Sequence, residues 1–258
     1  MRADKFFAEK YGSRTKAAQA LEKGLVLVGG VALRAKDEVR ETDEFVFLSE
    51  EESFVSNGGY KLSRALKTFD YSCENKVFVD LGASTGGFTD CLLQNGAAKI
   101  YAVDVGESLL HESLMKSEKI VRMENTNARY LSAEHFLDKI DCVVTDVSFI
   151  SLRLIFPAIK SVLRDGGDAF VLIKPQFECE KKNIGKSGIV HTGAHADIVK
   201  KVLGYALDCD LYPFGIVNAP LRKGKNIEYI LHIKPQKEKS VAVAQILETV
   251  KKFLKERE

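Results

Sequence analysis

The sequence predicts an α/β fold. A Rossmann-like, mostly parallel sheet with an antiparallel last hairpin follows a small ααβββ unit. Three observations predict it. From residue 76 onward, strand-like runs alternate with helix-like runs. A glycine-rich loop follows the first of these strands, and acids, Asp80 and Asp104, end the first two. The last two strand-like runs have no helix between them.

The 258 residues are 45% hydrophobic and 29% charged, enough for one large domain and a small second one. The net charge of +2 points to no partner, but its distribution is uneven. Residues 1–36 carry eight basic and three acidic side chains, and residues 37–54 carry eight acidic and one basic. A basic head and an acidic stretch read as a binding module and a linker. The five cysteines are scattered, with no Cys-x-x-Cys pair, as reduced thiols would be. Met1 opens a charged segment, which is no signal peptide. No run approaches the ~18 apolar residues of a membrane span. A cytoplasmic protein without membrane contact is expected, with a monomer favoured.

The elements follow in order. Residues 2–9 and 14–23 read as short helices, the second capped by Ser13 and stopped by Gly24. Gly29-Gly30 between two apolar runs is a hairpin signal, because glycine tolerates the positive φ of tight turns. Residues 45–48 add a third strand, which closes a unit over 1–48. Residues 49–59 form a charged linker, and 60–258 the large domain. That domain opens on an amphipathic helix, 60–69, with Leu62, Ala65, Leu66 and Phe69 on one side. Strands are expected at 76–81, 99–104, 119–123, 141–146, 168–173, 211–217 and 227–234. Helices are expected at 87–95, 107–115, 132–138, 151–163 and 195–208, and a charged helix at 238–257.

The loop Asp80-Leu-Gly82-Ala83-Ser84-Thr85-Gly86-Gly87-Phe88 has neither the G-x-G-x-x-G dinucleotide spacing nor the lysine of a Walker A loop. A ligand without a pyrophosphate fits better. Asp104, 22 residues after Gly82, stands where a carboxylate accepts hydrogen bonds from ribose hydroxyls. A nucleoside with a cationic tail, S-adenosylmethionine, satisfies the loop and both acids. The other reading is a structural βα turn. The glycines, the acids and the final hairpin together favour a methyltransferase.

Asp146 ends the fourth strand in "VVTDVSFISL", at the position that faces the transferred methyl in such folds. "D-x-x-F" lacks the two prolines of base-nitrogen methyltransferases, and Cys142 lies at the wrong end of its strand for a pyrimidine nucleophile. Lys174 closes the apolar strand of "VLIKPQFE", Glu228 sits among apolar neighbours in "GKNIEYILHI", and Lys61 lies on the leading helix. These four either converge at one site or form two salt bridges at the sheet's edge. A ribose hydroxyl needs such a group, because it is a poor nucleophile until its proton is taken. A lysine takes that proton when desolvation and a neighbouring cation lower its pKa from ~10.4.

"DLGASTGGFTD", "YAVDVG", "TNARYL", "DVSFISLRLI", "VLIKPQFE" and "NIEYIL" stand in the order of a known family. The chain resembles the TlyA, or haemolysin A, family of rRNA 2'-O-ribose methyltransferases to about residue 234. Its catalytic part is similar to the FtsJ type. The resemblance implies methyl transfer to a cytidine ribose in rRNA of a ribosomal subunit. The family's Lys-Asp-Lys-Glu tetrad falls on Lys61, Asp146, Lys174 and Glu228. It implies cofactor contacts from Gly59, Gly82, Ala83, Ser84, Thr85, Gly86, Phe88, Asp104, Val105, Asn127, Ala128 and Asp146. "RADKFF" and "SRTKAAQALEKGLVLVGG" resemble the small RNA-binding domain of ribosomal protein S-four type. The chain departs from the family at Ser56-Asn57-Gly58-Gly59, where Ser-Arg-Gly-Gly is usual. It begins directly at the RNA-binding unit, which leans towards the large subunit. The helix 238–257 has no place in the resemblance.

Arg2, Arg14 and Lys16 are candidate phosphate contacts near helix starts. Asn127 either reads adenine or forms a loop. Phe149 either meets the substrate or anchors helix 151–163. "ECEKKNIGKSG" (178–188) is a flap over RNA or a solvated loop, and "LRKGKN" (221–226) is similar. The five histidines share no metal-ligand spacing, so no metal is expected. A pore-forming haemolysin, a non-catalytic ribosome-assembly factor and a base-nitrogen methyltransferase are the rival functions.

Overall fold

The computed structural model describes residues 1–49, 53–221 and 224–255. Helices α1 (Ala3–Phe6) and α2 (Arg14–Glu22) precede strands β1 (Val26–Val28), β2 (Val31–Ala32) and β3 (Phe45–Phe47). The strands pair antiparallel in the order β2-β1-β3. Ser13 caps α2 by accepting the Lys16 N–H. Ala3, Phe7, Ala17, Leu21, Val26, Leu33 and Val39 give the unit its own core.

The large sheet has the order β6-β5-β4-β7-β8-β10-β9. Its strands are β4 (Val77–Leu81), β5 (Lys99–Val103), β6 (Ile120–Met123), β7 (Ile140–Thr145), β8 (Leu163–Ile173), β9 (Tyr212–Asn218) and β10 (Tyr229–Lys234). Among the described strands of this sheet, β10 alone runs opposite to the other six, pairing antiparallel with both β8 and β9. Side chains alternate across the sheet, as the two-residue strand period requires. Phe78, Cys142 and Val144 face α3 (Asn57–Thr68) and α4 (Gly87–Gln94). Val79, Leu81 and Val143 face α6 (Phe156–Val162), α8 (His195–Leu207) and α9 (Val243–Lys255). Strand order reverses at β4, so the carboxyl ends of β4, β5, β7 and β8 surround a topological switch point.

Several expected elements differ in extent. Helix α3 starts at Asn57, inside the expected linker, because Ser56 accepts the Gly58 N–H as a cap. The expected helix 107–115 is only α5 (Glu112–Met115). Asp104 captures the Gly106 N–H, and Ser108 sits at φ 55°, which holds the preceding residues in a loop. The expected helix 132–138 is one 3-10 turn, Ala133–His135, closed by a Ser132/His135 capping box. The expected helix 151–163 splits into a 3-10 turn, Leu152–Leu154, and α6, which starts beside Pro157. Strand β8 begins at Leu163 with a register shift against β7. The last helix, α9, buries Ile246, Val250 and Leu254 against β9 and α8. Residues 50–52 of the linker, 222–223 of the "LRKGKN" loop and 256–258, which include the end of the expected helix 238–257, lie outside the described residues.

Tyr60 joins the two units. Its hydroxyl donates to the Gly24 carbonyl at 2.9 Å, and its ring packs with Leu27, Ala32 and Phe54.

Candidate active site

The loop after β4 takes positive φ at Gly82 (81°), Ser84 (49°) and Gly86 (90°). A Cβ on Gly86 would collide with Leu114, and one on Gly82 would sit 3.1 Å from Val147. The turn therefore presents backbone rather than side chains. Asp104, just past β5, accepts the Ser84 N–H at 2.8 Å and the Gly106 N–H at 2.9 Å. Its carboxylate thus locks the glycine loop to the second strand. A small notch of about 20 Å³ lies among Ala83, Ser84, Asp104, Gly106, Leu109 and Arg122.

Beneath the loop, Asp80 is fully buried. Its Oδ2 accepts the Thr89 hydroxyl at 2.7 Å, while Oδ1 has no partner among the described residues. Burial pushes this carboxyl up to about 7, and the nearby Asp146 and Asp104 add to the rise. The carboxylates of Asp104 and Asp146, beside a loop that offers bare backbone at Gly82 and Gly86, suit a ligand that carries positive charge, so the residues fit a sulfonium nucleoside.

The other candidate cofactor residues are placed unequally. Thr85 is exposed on the loop and its carbonyl accepts the His111 N–H. Val105 is exposed and Ala128 buried. Asn127 Oδ1 caps the Ala128–Tyr130 turn and accepts from Arg129 Nε at 3.1 Å, so that oxygen is engaged locally. Phe88 is buried in the core and Gly59 is packed against Phe54.

Four groups converge beside the loop. Lys174 Nζ lies 2.6 Å from Asp146 Oδ1. Lys61 Nζ lies 3.6 Å from Asp146 Oδ2 and 2.7 Å from Glu228 Oε2. Asp146 immediately follows β7, Lys174 follows β8, Glu228 precedes β10 and Lys61 projects from α3. Of the two readings the sequence left open, a single connected cluster at the switch point is what the fold builds. Burial opposes the Lys61 charge, yet Asp146 and Glu228 outweigh it and hold Lys61 above the ordinary lysine value. A polar cleft of about 330 Å³ opens beside Lys61 and Glu228, lined also by Gln176, Ser187 and Lys225.

Phe149 is 90% exposed and sits at φ 62°, a strained backbone for a bulky residue. Its ring centroid is 5.0 Å from that of Phe177. The "ECEKKNIGKSG" loop is pinned by Asn226, whose side chain accepts the Val190 N–H and donates to the Gly188 carbonyl. In the N-terminal unit, Arg2 and Arg14 both pair with Asp4, at 3.0 and 2.9 Å. The Arg2 hydrogen bond leads in drawing that carboxyl down to about 2. Lys16 is exposed in the first turn of α2.

Sequence reasoning missed Ser148, which accepts from Lys174 at 2.6 Å, and Ser56 and Tyr60, which set α3. Ser148 stands two residues from Asp146 in "DVSF", and that adjacency was the available signal.

The FtsJ-like methyltransferase family matches residues 54–234. A hemolysin A of Brachyspira hyodysenteriae is 39% identical over 90% of this chain and 99% of its own. A Mycobacterium tuberculosis protein named 16S/23S rRNA (cytidine-2'-O)-methyltransferase TlyA is 34% identical over 95% of this chain and 92% of its own. A solved structure described as a hemolysin from Streptococcus thermophilus aligns with a TM-score of 0.73 and 33% identity, covering 100% of this chain and 98% of that one. All four clustered charges and the whole glycine loop fall inside the matched segment, and the chain belongs to the FtsJ-like methyltransferase family.

Proposed function

We propose that this chain transfers the methyl group of S-adenosylmethionine to the ribose 2'-hydroxyl of a cytidine in rRNA. The observation that carries the reading is the continuous contact chain Lys174–Asp146–Lys61–Glu228 beside the glycine loop. The name of the Mycobacterium tuberculosis relative supports the substrate class. S-adenosylmethionine supplies, when bound, a methyl group activated by a sulfonium.

The chain's own residues do the rest. Gly82, Ala83, Ser84, Thr85 and Gly86 offer backbone to the methionine part, and Asp104 receives the cofactor's ribose. Asp146 places negative charge near the sulfonium and holds the Lys174 amine. Lys174 Nζ meets the 2'-hydroxyl, orients its oxygen and takes its proton. Lys61 remains charged and clamps Asp146 to Glu228, which keeps both carboxylates in place. Alignment of this kind supplies a large share of a barrier by itself.

Residues 1–48 serve as the RNA-binding unit, with Arg2, Arg14 and Lys16 towards phosphates. Phe149 offers an exposed ring for a base to stack on. Labelled S-adenosylmethionine incubated with ribosomal subunits, followed by mapping of the labelled nucleotide, tests the reading. The expected label is a 2'-O-methylcytidine. Label on a base, or none, overturns it.

A further inference from the structure

Lys174 has charged and directional partners, and they are different atoms. The Asp146 Oδ1 contact at 2.6 Å is an ion pair by distance, but that oxygen lies outside hydrogen-bond alignment. The directional partners are Ser148 Oγ at 2.6 Å and the Asp146 carbonyl at 3.4 Å. An ion pair sets where the amine sits, whereas a hydrogen bond sets which way its N–H bonds point. The carbonyl contact is long, so Ser148 dominates the direction.

Ser148 is itself held. Its loop is clasped to the segment that follows Lys174 by further pairings. The Phe149 ring packs on Phe177. Buried Glu178 accepts the Ser151 hydroxyl at 2.8 Å and the Leu152 N–H at 2.7 Å. Lys201 adds a hydrogen bond to the Glu178 carbonyl at 2.9 Å. Both sides of the clasp are therefore fixed, and an exposed serine stands at a defined point over the amine.

We propose that Ser148 is a positioning residue for methyl transfer, orienting the Lys174 amine towards the attacking hydroxyl. The proposal rests on the reading of Lys174 given above. In the step it serves, the 2'-oxygen–methyl bond forms and the sulfur–methyl bond breaks. The bound sulfonium would become a neutral thioether, and the hydroxyl proton would pass to Lys174 Nζ in its neutral form, the charged amine having first released a proton to solvent.

The test compares Ser148→Ala and Ser148→Thr in single-turnover methylation of ribosomal subunits at saturating S-adenosylmethionine. The alanine variant is expected to lose about ten- to hundredfold in rate, the worth of one hydrogen bond to a charged group. Its cofactor affinity and its KM for RNA are expected to stay within about twofold, since Ser148 acts only through Lys174. Threonine keeps the hydroxyl and is expected to restore the rate. An alanine variant at wild-type rate overturns the proposal, as does a loss that threonine fails to repair. A wild-type rate in Lys174→Ala instead overturns the underlying reading of Lys174, so the two failures are distinguishable.

Discussion

Asp104 accepts the Ser84 backbone N–H at 2.8 Å, so the residue expected to receive the cofactor's ribose also holds the cofactor loop. The proposed ribose contact and the order of the loop therefore rest on one carboxylate.

Asp104→Ala is expected to weaken S-adenosylmethionine binding by about 1.5–3 kcal/mol, the range for hydrogen bonds to a charged group. Because the Ser84 and Gly106 N–H groups lose their acceptor, the unfolding midpoint should fall as well, by a few degrees. Calorimetry and a thermal melt read the two effects. Unchanged affinity would remove Asp104 from the cofactor site.

Asp80 makes the fold sensitive to pH. Its folded-state pKa of about 7 lies above the ordinary 3.8, so between those values the folded chain binds more protons than the unfolded one. Stability is then full below the ordinary value and falls as pH rises towards 7. The contribution is on the order of 4 kcal/mol across the interval. Asp80→Asn is expected to flatten that slope while keeping an acceptor for Thr89. Urea titrations of both proteins at several pH values decide it. Parallel slopes would mean the carboxyl does not titrate in this window.

Tyr60→Phe removes the hydroxyl that donates to Gly24 and leaves a buried carbonyl unpaired. A cost of about 1–3 kcal/mol is expected, concentrated in the contact between the two units. Faster proteolysis of the connecting segment would report it. Equal resistance in the variant would show that the aromatic packing on Phe54 suffices.

Lys16 allows the proposed RNA contact to be tested apart from fold stability. Arg2 and Arg14 pair with Asp4, whereas among the described residues Lys16 contributes only its backbone N–H to the Ser13 cap. Lys16→Ala is expected to weaken rRNA binding and lower the salt slope by about 1, with little change in stability. Arg14→Ala should cost both. Filter binding across a salt series, beside a melt, tells them apart. An unchanged slope for Lys16→Ala would take this lysine off the RNA surface.

Where apolar runs were short and nearly continuous, as in Val77–Leu81 and Tyr229–Lys234, the sheet was legible in the sequence. The charged cluster was legible as residue types at strand ends, because the switch point gathers such ends whatever lies between them. The helix 107–115 was misjudged because its polar residues satisfy helix and loop equally until Asp104 takes the Gly106 N–H. The start of α3 was misjudged because glycines at 58 and 59 read as linker. Only the packing of Gly59 on Phe54 and the Ser56 cap make them helical. For Ser148 the sequence offered only its adjacency to Asp146, since a serine's role depends on what stands within hydrogen-bond reach.

Lys174 carries the decisive test. Its amine sits 2.6 Å from Asp146 and its side chain is about nine-tenths buried, so alanine removes a charge from a cluster that still holds Lys61. Cofactor binding is expected to survive, because the glycine loop and Asp104 remain. The methylation rate is expected to fall ~10²-fold or more, the usual contribution of a positioned acid–base group. Alignment and proton removal are separated by Lys174→Arg. A guanidinium keeps the positive charge beside Asp146 but does not give up its proton at neutral pH. If Lys174 accepts the hydroxyl proton, the arginine enzyme should be as slow as the alanine one in a single-turnover assay. A near wild-type rate for arginine would leave Lys174 an orienting role alone, and the 2'-hydroxyl proton would then pass to another group.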